Sequence, residues 1–171
     1  MSGASERFGM SEWVLDRTLH VVNVRTGYDM KPVSELLKRR PSAAWITNPE
    51  MTVFDALHLL ARHDVGALMV IEQGKLCGIV SERDYTRKIA LWGRKSDEVK
   101  VAEIMTRNIV VVSPQTRSRE CMALMSQHKV RHLPVLAGET VLGMISMRDI
   151  VDDIISDHEA TIEQLRQYIH G

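Results

Sequence analysis

Gly78-Ile79-Val80-Ser81-Glu82-Arg83-Asp84 and Gly143-Met144-Ile145-Ser146-Met147-Arg148-Asp149 are the stretches that decide the fold. The second lies 65 residues beyond the first. The same offset, without gaps, pairs Pro49 with Pro114, Leu59 with Leu124, His63 with His128, Val65 with Val130, Leu68 with Leu133 and Val70 with Val135. Chance supplies one short match, but not a register held over both stretches, so the chain is a tandem duplication. Upstream, Val33-Ser34-Glu35-Leu36-Leu37 resembles Val101-Ala102-Glu103-Ile104-Met105 at an offset of 68, giving each copy a short leader helix.

Within a copy the periods are legible. Ala44-Trp45-Ile46 predicts a short strand, and Val53, Ala56, Leu57, Leu60 and Ala61 follow the spacing of a helix with one apolar face. Cys121, Met122 and Met125 repeat that phase. Residues 67–71 and 76–80 are nearly continuous apolar runs around Glu72-Gln73-Gly74-Lys75, which predicts two buried strands joined by a hairpin. A helix from Glu82 to about Leu91 closes the copy. The expected fold is therefore α/β with a mixed sheet, built of two β-α-β-β-α repeats. One small sheet cannot cover both its faces, so the repeats are expected to pack about a pseudo-twofold axis that leaves two related clefts.

This divides the chain into an N-terminal segment (1–29), a first repeat (30–91), a polar connector (92–100), a second repeat (101–157) and a C-terminal helical extension (158–171). The connector holds Gly93 and five charged side chains. Ile155, Ile162 and Ile169 recur at sevenfold spacing beside Glu159 and Arg166, which predicts a subunit contact and hence a homodimer.

Composition narrows the function. With 171 residues, 44% of them hydrophobic, the chain can bury a core without a metal or disulfide. Lys and Arg number 22 against 22 Asp and Glu, so no excess of cations calls for a nucleic-acid partner. Residues 65–71 form the longest stretch free of charge and strong polarity, far short of the ~20 that cross a bilayer. Neither a membrane nor a secretory signal is expected, and the expected location is cytoplasmic. Cys77 and Cys121 sit among apolar neighbours with no C-x-x-C pairing and are expected to be buried thiols.

Ser81-x-x-Asp84 and Ser146-x-x-Asp149 each stand between a buried strand and a helix. Such a pair is a capping box. The same geometry suits a ligand: a helix N-terminus and a Ser hydroxyl can donate to phosphate, an Asp carboxylate can accept both hydroxyls of a ribose, and the adjacent Arg can fork onto phosphate. The duplicated Gly78 and Gly143 permit close approach to a strand, and a cap has no need of Arg83 or Arg148. His63 and His128 fall near helix ends, where imidazole interacts with terminal carbonyls. His128 and His132 are separated by a helix-to-strand transition, which argues against a zinc pair. Met122 and Met125 are core fillers, and Lys38-Arg39-Arg40 is a solvated helix end. No Ser has an adjacent His to activate it, and neither a P-loop nor a G-x-G-x-x-G fingerprint occurs, so no enzyme is expected.

The duplication, the Gly-h-h-Ser-x-Arg-Asp tails, the strands Val65-Gly66-Ala67-Leu68-Met69-Val70 and Val130-Arg131-His132-Leu133-Pro134-Val135, and the Val101-x-Glu103-Ile104-Met105 leader resemble a pair of cystathionine-β-synthase (CBS) domains. The resemblance covers residues 30–158 and is similar to small stand-alone two-CBS proteins of bacteria and plant mitochondria. It implies a regulatory sensor that binds adenosine nucleotides (AMP, ADP, ATP or NAD, in some members S-adenosylmethionine) between the copies and dimerises as a flat disc. One cleft would use Asp149 for ribose, Ser146 and Arg148 near phosphate, and Arg131 and His132 as added positive charge, completed by Thr47, Val65, Gly66 and Ala67. The other would use Asp84, Ser81 and Arg83, completed by Val112, Val130, Arg131 and His132. Gly66-Ala67 stands in copy one where copy two has Arg131-His132, so the clefts are expected to fill unequally. The rival expectation is an interaction protein with empty clefts that regulates a partner enzyme, such as a redox protein. In either case the output is expected through an unidentified protein partner or the oligomer.

Overall fold

The computed structural model describes residues 19–21, 31–38 and 45–170. The rest of segment 1–29, Arg39, Arg40, Ala44 and the side chains of Ile162 and Ile169 lie outside it, as do the expectations placed on them. In chain order the elements are β1 (Leu19–Val21), α1 (Val33–Leu37), β2 (Ile46–Thr47), α2 (Val53–His63), β3 (Ala67–Glu72), β4 (Lys75–Ser81), α3 (Glu82–Lys88), a 3-10 turn (Ala90–Trp92), α4 (Val101–Ile104), β5 (Ile109–Val111), α5 (Ser118–His128), β6 (His132–Ala137), β7 (Thr140–Ser146) and α6 (Met147–His170).

Both repeats run β-α-β-β-α, as β2-α2-β3-β4-α3 and β5-α5-β6-β7-α6. In the first, β2 is parallel to β3, which is antiparallel to β4. The hairpin between β3 and β4 turns on Gln73 (φ 49) and Gly74 (φ 78), the left-handed pair whose twist matches that of the flanking strands. In the second, β6 and β7 form the hairpin, and the chain after β5 joins it where Val112 N–H donates to the Pro134 carbonyl (3.0 Å) and Leu136 N–H to that of Val112 (2.9 Å). The register shifts at Val70/Ile71 and again at Val135/Leu136, 65 residues on. β5 also pairs in parallel with β1, a strand that no periodicity in segment 1–29 announced.

α2 and α5 end alike. Asp64 (φ 50) and Lys129 (φ 55) take the left-handed conformation just past each helix. Val65 N–H then returns to Leu60 O (3.1 Å) and Val130 N–H to Met125 O (3.0 Å), closing a Schellman motif in each copy. This turn delivers Val65-Gly66 and Val130-Arg131 to the seam between the repeats.

The leader helices are exchanged. Val33 and Leu36 of α1 belong to the core of the second repeat, with Val110, Leu124 and Leu133, whereas Val101 and Ile104 of α4 belong to the core of the first, with Val53, Leu60 and Leu68. The backbone contacts match: Val33 N–H donates to Thr116 O (2.9 Å) and Ser34 N–H to Pro114 O (3.0 Å), while Val101 N–H donates to Met51 O (2.9 Å) and Ala102 N–H to Pro49 O (3.0 Å). Pro49 and Pro114, like Met51 and Thr116, are 65 residues apart, so the exchange is reciprocal. Gly78 serves it. A Cβ there would stand 2.5 Å from Met105 Sδ, so the glycine admits the residue that follows α4 rather than a ligand.

Three details differ from the sequence reading. α3 stops at Lys88, because Ile89 turns inward to full burial and the chain continues as the 3-10 turn, ended by Gly93 at φ 61. The connector 92–100 is stitched to α2: Ser96 O accepts from Phe54 N–H (2.9 Å) and Val99 O from Val53 N–H (2.8 Å), and Val99 is buried. The division at 157/158 falls inside α6, which is one helix from Met147 to His170.

Candidate functional site

Two clefts open between the repeats. The first, of ≈ 520 Å³, has Trp45, Asp64, Val65, Gly66 and Glu82 from copy one facing Arg131, His132, Ser146 and Arg148 from copy two. The second, of ≈ 310 Å³, has Ser81, Arg83, Asp84, Arg87 and Lys88 facing Thr106, Val110, Lys129, Val130, Arg131 and His132. Gly66, Arg131 and His132 line both, and Gly66 meets His132 across the wall the clefts share: a Cβ on Gly66 would lie 3.4 Å from His132 Cε1.

Of the residues expected in the first cleft, Val65, Gly66, Arg131, His132, Ser146 and Arg148 line it, and Thr47, Ala67 and Asp149 do not. Thr47 is buried, with its hydroxyl on Met51 Sδ (3.1 Å), and Ala67 is sealed in β3 opposite Ser81. In the second cleft Ser81, Arg83, Asp84, Val130, Arg131 and His132 stand as expected, whereas Val112 is 1% exposed and bridges to β6. Val110 and Trp45, again 65 apart, form the walls that had been placed two residues later at Val112 and Thr47. The reason is local: Thr47 and Val112 are drawn into the sheets by their pairing with β3 and β6. Arg87, Lys88, Thr106 and Lys129 were missed. For Arg87 and Lys88 the signal was spacing, since they follow Asp84 by one helical turn.

The two Ser-x-x-Asp motifs are true capping boxes. Ser81 Oγ donates to Asp84 Oδ2 (2.6 Å) while accepting from Asp84 N–H (3.3 Å), and Ser146 does the same with Asp149 (2.6 and 3.3 Å). A hydroxyl has a single proton, so neither Ser is a phosphate donor in this arrangement, contrary to the sequence expectation. Their function is to fix the Asp. Ser81 N–H adds a bond to Asp84 Oδ2 (3.0 Å), and Oδ1 receives Lys88 Nζ (2.7 Å) and Thr106 Oγ1 (3.3 Å). Thr106 is exposed and Lys88 half-buried, so a ribose hydroxyl can exchange with either on the open oxygen.

His132 carries no charge at neutral pH. Burial, helped by the Arg131 guanidinium and opposed by Asp149, lowers its imidazole to a pKa of about 4. The positive charge expected of this residue is therefore absent, and Arg131 alone supplies it. Burial also pushes the Cys121 thiol up to about 12, and Cys77, half-buried rather than buried, is raised for the same reason. Both are poor nucleophiles. Among the described residues no cluster of His, Cys, Asp or Glu is placed to hold a metal, and no helix is long and apolar enough to cross a membrane.

A duplicated β-α-β-β-α module with exchanged leaders and paired clefts between its halves defines the class. Within it, the CBS-domain family profile matches residues 33–91 and 101–156, and the chain belongs to the CBS-domain family. It is 35% identical over 156 residues to the CBS domain-containing protein CBSX3, mitochondrial, of Arabidopsis thaliana, covering 85% of this chain and 75% of that protein. It is 30% identical over 113 residues to YhcV of Bacillus subtilis, covering 66% and 80%. The structure of a CBS-domain protein from Burkholderia ambifaria superposes with a TM-score of 0.70 at 41% identity, covering 74% of this chain and 96% of that one. Proteins of this family generally bind adenosine-related ligands, and some have regulatory roles.

Proposed function

We propose that the chain is a non-catalytic sensor that binds an adenosine nucleotide (AMP, ADP, ATP or NAD) between its repeats and signals through the relative orientation of the two copies to a protein partner. The observation that carries the reading is the second cleft, where one anchored carboxylate, Asp84, shares the lining with Arg83, Arg87, Lys88, Lys129 and Arg131 drawn from both copies. A carboxylate suits ribose hydroxyls and the cations suit phosphate. A ligand that touches both copies favours one arrangement of them by no more than its differential affinity for the two. The CBS domain pair of protein MJ0100, of the same fold, was crystallised with 5′-methylthioadenosine and S-adenosyl-L-methionine, adenosine derivatives that agree with this ligand class. A homodimer formed through α6 and a cytoplasmic location complete the proposal.

Thermal melting tests it. A ligand at about 100 times its dissociation constant stabilises the native state by about 2.7 kcal/mol, so a saturating adenosine nucleotide raises the melting temperature by several degrees. Asp84→Asn keeps an acceptor for the cap but removes the charge, and weakens binding by about tenfold or more. A melting temperature indifferent to AMP, ADP, ATP and NAD overturns the reading.

A further inference from the structure

The two clefts occupy related places but unequal electrostatic environments. Carried across the 65-residue offset, Lys129 corresponds to Asp64, Arg87 to Asp152 and Lys88 to Asp153, three charge inversions in a molecule whose backbone is nearly symmetric. Asp64 faces the first cleft, where the lining charges Arg131 and Arg148 are balanced by Asp64 and Glu82 and where Arg148 lies 3.8 Å from Asp64. In the second cleft five cationic side chains meet a single carboxylate. Lys88 is committed to that carboxylate, and Arg83 Nη1 donates to Lys129 O (3.2 Å). Among the described residues, the side chains of Arg87, Lys129 and Arg131 take part in no ion pair. Holding several unneutralised cations at one cleft is unfavourable by mutual repulsion unless an anion joins them, and cations contributed by three separate segments, α3, the end of α5 and the chain leading into β6, suit an anion with more than one phosphate.

We infer that the second cleft is selective for a polyphosphate, a nucleoside di- or triphosphate over the monophosphate, with Arg87, Lys129 and Arg131 gripping the phosphates beyond the first. The inference rests on the adenosine-ligand reading above and adds the length of the phosphate chain. The balanced first cleft makes no such demand.

Calorimetric titration of the full chain with adenosine, AMP, ADP and ATP, magnesium-free and at fixed salt, tests it. The expected result is affinity rising with each phosphate, ATP exceeding AMP by about tenfold or more, with a salt dependence steeper for ATP. In the Arg87→Gln, Lys129→Gln double variant, both positions being exposed, the ATP-to-AMP ratio falls towards unity while AMP binding persists. Equal affinities for AMP and ATP in the wild-type chain, or a ratio untouched by the double variant, overturn this inference and leave the adenosine reading standing. No binding of any of the four overturns both.

Discussion

His132 and Gly66 meet where the two clefts share a wall, and the chemistry of that contact sets how the protein responds to acid. With a native pKa of about 4 against an ordinary value near 6.5, the imidazole stays neutral in the folded state while the unfolded chain takes up a proton as pH falls below 6.5. The native state is therefore fully favoured above pH 6.5 and loses up to about 3 kcal/mol on the way to pH 4. Urea unfolding at pH 7 and 4.5 measures the loss, and His132→Gln should flatten the profile; a wild-type profile as flat as the variant's would show that the ring is protonated in the native state. Gly78 is the other residue with a steric account. Gly78→Ala sets a methyl against Met105 and is expected to cost about 1–3 kcal/mol, recovered in part when Met105→Ala is added. Asp84 and Ser81 were legible from sequence because they are repeated. The neutrality of His132 was not, since it depends on burial under a different copy, and Thr47 and Val112 were misjudged because the depth of a strand residue is set by pairings far along the chain.

At the scale of elements, the exchange of α1 and α4 makes each repeat depend on the other's leader. Ile104 is completely buried among residues of the first repeat although it belongs to the leader of the second. Ile104→Ala is expected to cost about 2–5 kcal/mol, and to weaken β3 and β4 rather than β6 and β7. Hydrogen exchange checks this: faster exchange confined to β6–β7 would contradict the exchange of leaders. The leaders themselves were legible through their shared pattern at an offset of 68, but helices of four or five residues carry no periodicity that names a partner, and a symmetric duplication allows each to cap either copy. The hairpins and central helices were legible because their apolar periods were long. β1 was not, because a three-residue parallel strand has meaning only through β5. The end of α3 was overrun because Ile89, apolar and in phase, continues the helical pattern while its side chain turns into the core.

At the scale of the molecule, two cores are closed crosswise by backbone bonds of matching length. Co-expressed halves cut within the exposed residues 94–95 should assemble one to one with native far-UV dichroism, whereas either half alone should stay unfolded or aggregate. Independent folding of the first half would show that α4 is dispensable to it. The duplication itself was fully legible, as were the two clefts it creates, because an ungapped repeat dictates geometry. The electrostatic difference between the clefts was anticipated only as a contrast between Gly66 and Arg131; the inversions at 64 and 129, 87 and 152, and 88 and 153 needed the clefts to be seen before they acquired meaning. The crossed leaders also bear on a copy standing alone. A lone copy that kept this crossing would have its interior sealed by a lid lent from a second molecule, as in a domain-swapped couple. Carrying both copies on one chain makes that partnership permanent and lets the two halves differ in charge.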